Sequence, residues 1–307
     1  MKRFWFWGAL VLIGAAWLLN VAFYQSVQLK EPIVLKHYID QPMGETHYIK
    51  IYYLTDRQEP TILQSMQVNG VTIPNLSSSN DEWLYGNQNS IYNPRDIVQE
   101  FNHHLLVQAE FDPSMLSPEG VEDKPLHLTD VFLSFSDGTN KSYEIGEIHL
   151  TPPINSKEPK LMEVNSAIGT SGGLHGQVYV ADQPLQMDEL QLPNALKDLV
   201  NVKVHYDGEE GQVQDFVSLD GDMPDWDEMK LPLAQEVEWP LELGSQGSVG
   251  IYVQIDSATS TTIDARLHWT GKTDDGEEFV EPVRVHHIPQ LTDEEVDELI
   301  TQSGVTR

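Results

Sequence analysis

The sequence predicts a mainly β protein: an N-terminal transmembrane helix, two antiparallel β-sandwich (immunoglobulin-like) domains and a short C-terminal helix. Three observations carry this. Phe4 to Tyr24 form an apolar stretch whose only strongly polar member is Asn20. After Gln25 the hydrophobic period is mostly two, the period of a strand. Asp-Gly pairs at 137–138, 207–208 and 275–276 each follow such a run and precede another, the strongest short hairpin signal.

The apolar stretch is 21 residues long. At 1.5 Å per residue it spans roughly 30 Å, the thickness of a bilayer's hydrocarbon core. Lys2 and Arg3 precede it and the next charge is Lys30, so the positive-inside rule keeps the N-terminus cytoplasmic and exports the rest. Trp5, Trp7, Phe23 and Tyr24 suit the interfacial aromatic belts. A cleaved signal peptide is the competing reading. The run exceeds the usual apolar core of such peptides, and the nearest cleavage candidate, Asn20-Val21-Ala22, has a poor first residue. An uncleaved anchor is the expectation, with a cytoplasmic stub of about three residues that leaves no room for a signalling module.

Strand alternation is clearest at Val249-Ile251-Val253-Ile255 and at Ile263-Ala265-Leu267-Trp269. It recurs at Ile49-Ile51-Tyr53, Val202-Val204-Tyr206 and Val283-Val285-His287. One apolar face per strand, with frequent hairpins, points to sandwiches rather than α/β units. Helix signals are few. Asn93-Pro94 could cap a short helix through Phe101, and Pro193 to Val200 a turn or two. At the C-terminus Thr292 and Glu295 form a capping box, and Leu291 with Val296 a hydrophobic staple. Val296, Leu299 and Ile300 supply an apolar stripe that has to dock on something, and Gly304 a stop.

A proline-rich seam, TPPINSKEPK at 151–160, divides the chain. The expected organisation is 1–24 stub and anchor, 25–155 first sandwich, 156–289 second sandwich and 290–307 helical tail. Residues 53–75 and 179–194 both run from a strand through Asp, Gln and Pro to a Leu-Gln pair, ending in aliphatic-Pro-Asn. That weak likeness leaves tandem duplication open.

Composition excludes several chemistries. The 307 residues contain no Cys, which removes disulfides, a Cys nucleophile, thiolate metal sites and a cysteine-linked lipid anchor. The net charge of −30 opposes phosphate neutralisation, so no nucleic-acid partner is expected. It also repels anionic lipid heads and wall polymers, and suits a cationic partner or an exterior of high salt or high pH. A protein partner at the outer membrane face is the expectation.

Candidate motifs mostly dissolve on inspection. Gly169-Thr170-Ser171-Gly172-Gly173 matches G-x-S-x-G, but a nucleophile elbow needs a following helix, and Leu174 to Val180 reads as a strand. The acidic run Leu219 to Glu228 offers oxygens for calcium, yet Met223-Pro224 breaks the EF-hand order, so a solvated loop is preferred. His103-His104 and His286-His287 are adjacent pairs, which a strand sends to opposite faces. His286 with Glu281 or His268 could meet across a hairpin, though no spacing demands it. No P-loop or dinucleotide fingerprint occurs. No catalytic, cofactor-binding or metal-ligating residue is therefore assigned, and no cofactor is expected beyond a weak calcium possibility.

Trp83 and Tyr85, with Tyr92 nearby, lie in a polar Asn/Ser-rich segment and either plug a sandwich end or meet a partner. They are the first choice for a contact patch; Trp226 and Trp239 invite the same two readings. Asn75 and Asn140 satisfy the glycosylation pattern. The expected function is non-enzymatic binding or assembly at the outer face of a cell membrane, in a bacterial type of envelope. A calcium-dependent adhesion or scaffold module and an exported hydrolase are the alternatives.

Overall fold

Period-two stretches become strands where a second sheet covers their apolar face, and this happens twice along the chain. The computed structural model describes residues 2–43, 48–76, 96–116, 125–152, 161–170, 173–207, 225–256 and 258–305. Helix α1 (Lys2–Val27) opens the chain, and its Phe6–Gln25 portion is long and apolar enough to cross a membrane, a property signal anchors and signal sequences share. The first half contains β1 (Ile33–Val34), β2 (His37–Pro42), β3 (Ile49–Asp56), β4 (Leu63–Val68), β5 (Val71–Pro74), β6 (Ile97–Glu100), β7 (His104–Phe111), β8 (Leu126–Phe135) and β9 (Asn140–Thr151). The second contains β10 (Met162–Gly169), β11 (Leu174–Ala181), β12 (Leu185–Gln191), β13 (Val200–Asp207), β14 (Leu241–Leu243), β15 (Ser248–Ile255), β16 (Thr262–Thr273) and β17 (Glu278–His287). Helix α2 (Asp293–Ser303) ends it.

Each half repeats one strand order. The sheet β1-β3-β7-β6 faces β5-β4-β8-β9 across a core that includes Ile51, Tyr53, Phe111, Leu133 and Ile148. The sheet β10-β11-β15-β13 faces β14-β12-β16-β17 across a core that includes Val202, Ile251, Leu267 and Trp269. The two similar sequence segments occupy corresponding places. Leu63 opens β4 opposite Phe135, and Leu185 opens β12 opposite Thr273, each partner ending the strand before an Asp-Gly turn. The repeat is imperfect: β5 follows β4 through Asn69-Gly70, both at positive φ, whereas β14 takes the same edge after β13.

Two of the three Asp-Gly hairpins form, with Gly138 and Gly276 at positive φ between β8 and β9 and between β16 and β17. The third does not. Asp207 ends β13, residues 208–224 lie outside the described residues, and the next strand, β14, joins a different sheet.

The larger departure from the expected architecture is that the halves do not keep separate, purely antiparallel sheets. Strand β2 pairs in parallel with β9 through His37–Pro42 and with the start of β16 through Thr262–Asp264. This fuses the inner sheets into one mixed sheet of nine strands. Since β17 lines one edge of β16, β2 and β12 share the other edge at different heights.

A third apolar cluster lies on the outer face of β3 and β7. Tyr52, Leu54 and Leu106 are covered there by Leu29, Ile33 and Leu35, and by Leu291, Val296 and Ile300 around α2. Burying three aliphatic side chains of this size is worth about 1.5–3 kcal/mol each. Thr292 caps α2 with the reciprocal Glu295 contact, and Gly304 ends it in the left-handed region. Asn102 donates its backbone N–H and side-chain amide to Asp293, and Lys30 N–H donates to Val305 O, which ties the C-terminus to the exit of α1. On the other side of that exit His104 Nε2 lies 3.0 Å from Val27 O, near the negative end of the α1 dipole. His103 is exposed in the bend before β7 and His104, the first residue of that strand, is buried, so the pair is parted by the strand boundary rather than by alternation along a strand.

Candidate functional site

The polar residues with the most unusual surroundings gather where the halves meet. Alternate residues of β16 face the second core, so Asp264 points the other way, and direct antiparallel pairing puts His286 of β17 beside it. Arg284, two residues along β17, donates from Nε and Nη2 to both Asp264 oxygens at 3.0 and 3.1 Å. Gln41 of β2 adds a third donor at 2.6 Å. Burial works to raise the Asp264 carboxyl's pKa, but His286 and Arg284 outweigh it and hold the group below the usual carboxylate range. His286 Nδ1 is 3.9 Å from Asp264 Oδ1, beyond hydrogen-bond range.

These residues line one side of a cleft of about 500 Å3. Lys50 of β3 contributes from the first half; Ala167, Ile168 and Gly169 of β10 with His175 and Gln177 of β11 complete the second half's wall. Gln177 is fixed by donating to Arg284 O at 2.7 Å. His175 is shifted toward its neutral form by burial and by His286. His287, behind it, is pushed down to about 4 by burial, then by His175 and His286. His175 Nε2 and His286 Nδ1 make no hydrogen bond, leaving two ring nitrogens with capacity for a ligand. Fixed charge on the lining is two cations, Lys50 and Arg284, against one carboxylate. The sign is opposite to that of the whole chain, and clefts at the meeting of two folded units are common binding places.

The motifs singled out in the sequence fare differently. Gly169 to Gly173 is the connection between β10 and β11, closed by Thr170 N–H to Leu174 O; a strand follows it, and Ser171 and Gly172 lie outside the described residues. Both oxygens of Asp264 are held by Arg284 and Gln41, and among the described residues no other carboxylate lines the cleft beside His286. Of the acidic run, 219–224 lie outside the described residues, and Asp225, Asp227 and Glu228 are exposed. The carbonyls of Trp226 and Met229 accept from buried Lys203 at 2.6 and 2.8 Å, with the ammonium 4.4 Å from the Trp226 ring centroid. That arm thus already holds a cation, supplied by the protein.

Trp226 and Trp239 are structural, the latter 6.0 Å from Trp269 with its indole N–H given to Ala234 O. Trp83, Tyr85, Tyr92 and Asn93-Pro94 lie outside the described residues, and where the sequence predicts a helix after Asn93-Pro94, residues 97–100 form strand β6 because they pair with β7. Asn75 is buried and holds β4 to β7, donating to Leu63 O and accepting from Glu110 N, so it is no glycan acceptor; Asn140 is exposed. His286 does not meet Glu281 or His268: Asp264 stands opposite His286, Trp269 opposite Glu281 and Pro282 opposite His268. The three metal-competent side chains that do converge, among the described residues, are His127, Glu147 and His149. The sequence carried their signal. Extending the Ser134–Asn140 pairing down the hairpin places His127 opposite Glu147, and an irregularity between Leu128 and Asp130 moves it opposite His149, on the same face.

No protein-family model matches the chain, and no curated protein matches it at a significant level. Among solved structures it is similar to the collagen-binding domain of the surface protein RspB of Erysipelothrix rhusiopathiae, at 8% identity, 86% coverage of this chain and 94% of that one, and a TM-score of 0.22. A superposition that poor is no basis for assigning a fold family or a ligand.

Proposed function

We propose that this is a membrane-anchored, extracytoplasmic protein of a bacterial envelope that binds or assembles with another membrane protein and performs no chemistry itself. Its N-terminal helix is retained as the anchor, with Lys2 and Arg3 on the cytoplasmic side. The two halves are immunoglobulin-like sandwiches: the order β1-β3-β7-β6 over β5-β4-β8-β9 corresponds to an ABED sheet over a C′CFG sheet. The matching order in the second half supports descent from a tandem duplication. A division at 155 lies in the connection that follows the end of β9 at Thr151.

The observation that carries the reading is the cleft, where Lys50 from one half and Arg284 from the other converge in an otherwise acidic molecule. A carboxylate presented by the partner fits it, since Lys50, Arg284 and His175 all have donor capacity. The test is crosslinked affinity capture of the full-length protein from its native membrane, beside Lys50→Glu. Lys50 makes only a surface pair with Glu110 at 3.4 Å, so the variant should fold normally. One integral membrane protein recovered by the parent and reduced at least about tenfold by the variant is the expected result. Recovery of none, or equal recovery by both, refutes the proposal.

A further inference from the structure

We propose that His127, Glu147 and His149 form a binding site for a zinc-class divalent metal ion, separate from the cleft. The topology makes the site. His127 of β8 and His149 of β9 are direct antiparallel partners, and Glu147 is two residues from His149 on the same face. His149 Nε2 lies 2.9 Å and His127 Nε2 3.9 Å from the same oxygen, Glu147 Oε2. All three ligand atoms fall within 4.8 Å of one another. A tetrahedral zinc ion with bonds of about 2.0–2.1 Å holds its ligand atoms roughly 3.4 Å apart, between the two observed spacings. Movements of about an ångström at exposed side-chain tips, with a tilt of the two stacked rings so that their nitrogens converge, would seat the ion.

The donors select the metal class. Two neutral imidazoles with one carboxylate suit zinc, copper(II) or nickel, whereas calcium wants six to eight oxygens. The supports are rigid, since both histidines stand on paired strands. Their rings stack at 4.3 Å and 11°, and the Tyr38 ring lies 5.6 Å from that of His149 on its other neighbour strand. Three protein ligands on a half-exposed face leave a fourth position open to water or to a donor from a partner.

Isothermal titration of the untagged, chelator-treated full-length protein in detergent tests this. Zinc chloride should bind at one ion per chain and raise the melting temperature by mass action. His127→Ala and His149→Ala should each weaken binding at least about tenfold, the double variant should abolish it, and calcium chloride should produce no shift. These side chains are exposed enough that the variants should keep the parent's circular dichroism. Absence of zinc binding, unchanged zinc binding in the double variant, or calcium binding as tight as zinc's would each overturn the proposal. Membrane-partner capture through Lys50 is independent of this outcome.

Discussion

Tyr38 and Ile39 are neighbours on β2, yet their side chains belong to different hydrophobic cores, Tyr38 to the second and Ile39 to the first. Successive strand residues point to opposite faces, and β2 has β9 on one edge and β16 on the other. One six-residue strand therefore completes both halves. Calorimetry of the full-length protein in detergent should show one unfolding transition for the β region rather than two. Ile39→Ala should cost about 2–5 kcal/mol and still give one transition. Two resolved transitions, with only one moved by Ile39→Ala, would contradict the shared-strand account.

Gly146 is opposite His37 on the adjoining strand, with φ +94° and an added Cβ placed 2.3 Å from His37 O. Gly138, at φ +89°, would meet nothing within 4 Å. Gly138→Ala should cost about 1–2 kcal/mol for backbone conformation alone. Gly146→Ala adds a backbone clash and should cost several times as much, about 3 kcal/mol or more. Denaturant midpoints of the two variants decide it, and equal losses would refute the close approach.

The buried guanidinium of Arg266 spans the joint, donating to Asp40 Oδ1 and O and to Thr151 Oγ1, each at 3.2 Å. Arg266→Met strands the Asp40 carboxylate and should destabilise by about 3–5 kcal/mol. Adding Asp40→Asn should recover part of the loss, because the penalty lies in the unpaired charge. A double variant no more stable than Arg266→Met would argue against that cause.

His37 is fully buried beneath Tyr52, whose N–H it accepts at 2.9 Å through Nε2. Burial pushes its pKa down to about 4, against weaker help from the Leu35 and Ile145 carbonyls. The unfolded chain therefore binds this proton more readily than the folded one. The stabilisation is complete above about pH 6.5 and is lost as pH falls toward 4, by roughly 3 kcal/mol in all. His287, also pushed down to about 4, and His175 and His268, both lowered by burial, act in the same window with the same sign, so only the difference between parent and variant belongs to His37. Denaturant midpoints at pH 7.0, 5.5 and 4.5 should fall for the parent and fall distinctly less for His37→Gln. Parallel losses would reassign the slope.

Thr292→Ala should cost about 1 kcal/mol through the cap, and Ile300→Ala about 2–5 kcal/mol through the cluster that α2 covers. Limited proteolysis should then release the α2 segment first, and cleavage elsewhere at the same rate would count against local docking.

What the sequence by itself determined is what short range determines. The Phe4–Tyr24 run, the Asp137-Gly138 and Asp275-Gly276 turns and the Thr292–Glu295 cap each depend on residues a few positions apart, and each was legible. The odd-numbered residues of β16 were legible as a core face for the same reason, since the period of two is a local property. The tertiary structure alone decided the parallel pairing of β2 with β9 and β16, the convergence of Lys50 with Arg284, and the occupation of the Trp226 and Met229 carbonyls by Lys203. Partners such as Gln41 and Asp264 stand 223 residues apart. No pattern of neighbours encodes their meeting, because strand edges are saturated by whichever chain segment completes both hydrogen bonds and core, and that choice is settled only when the whole fold competes for them.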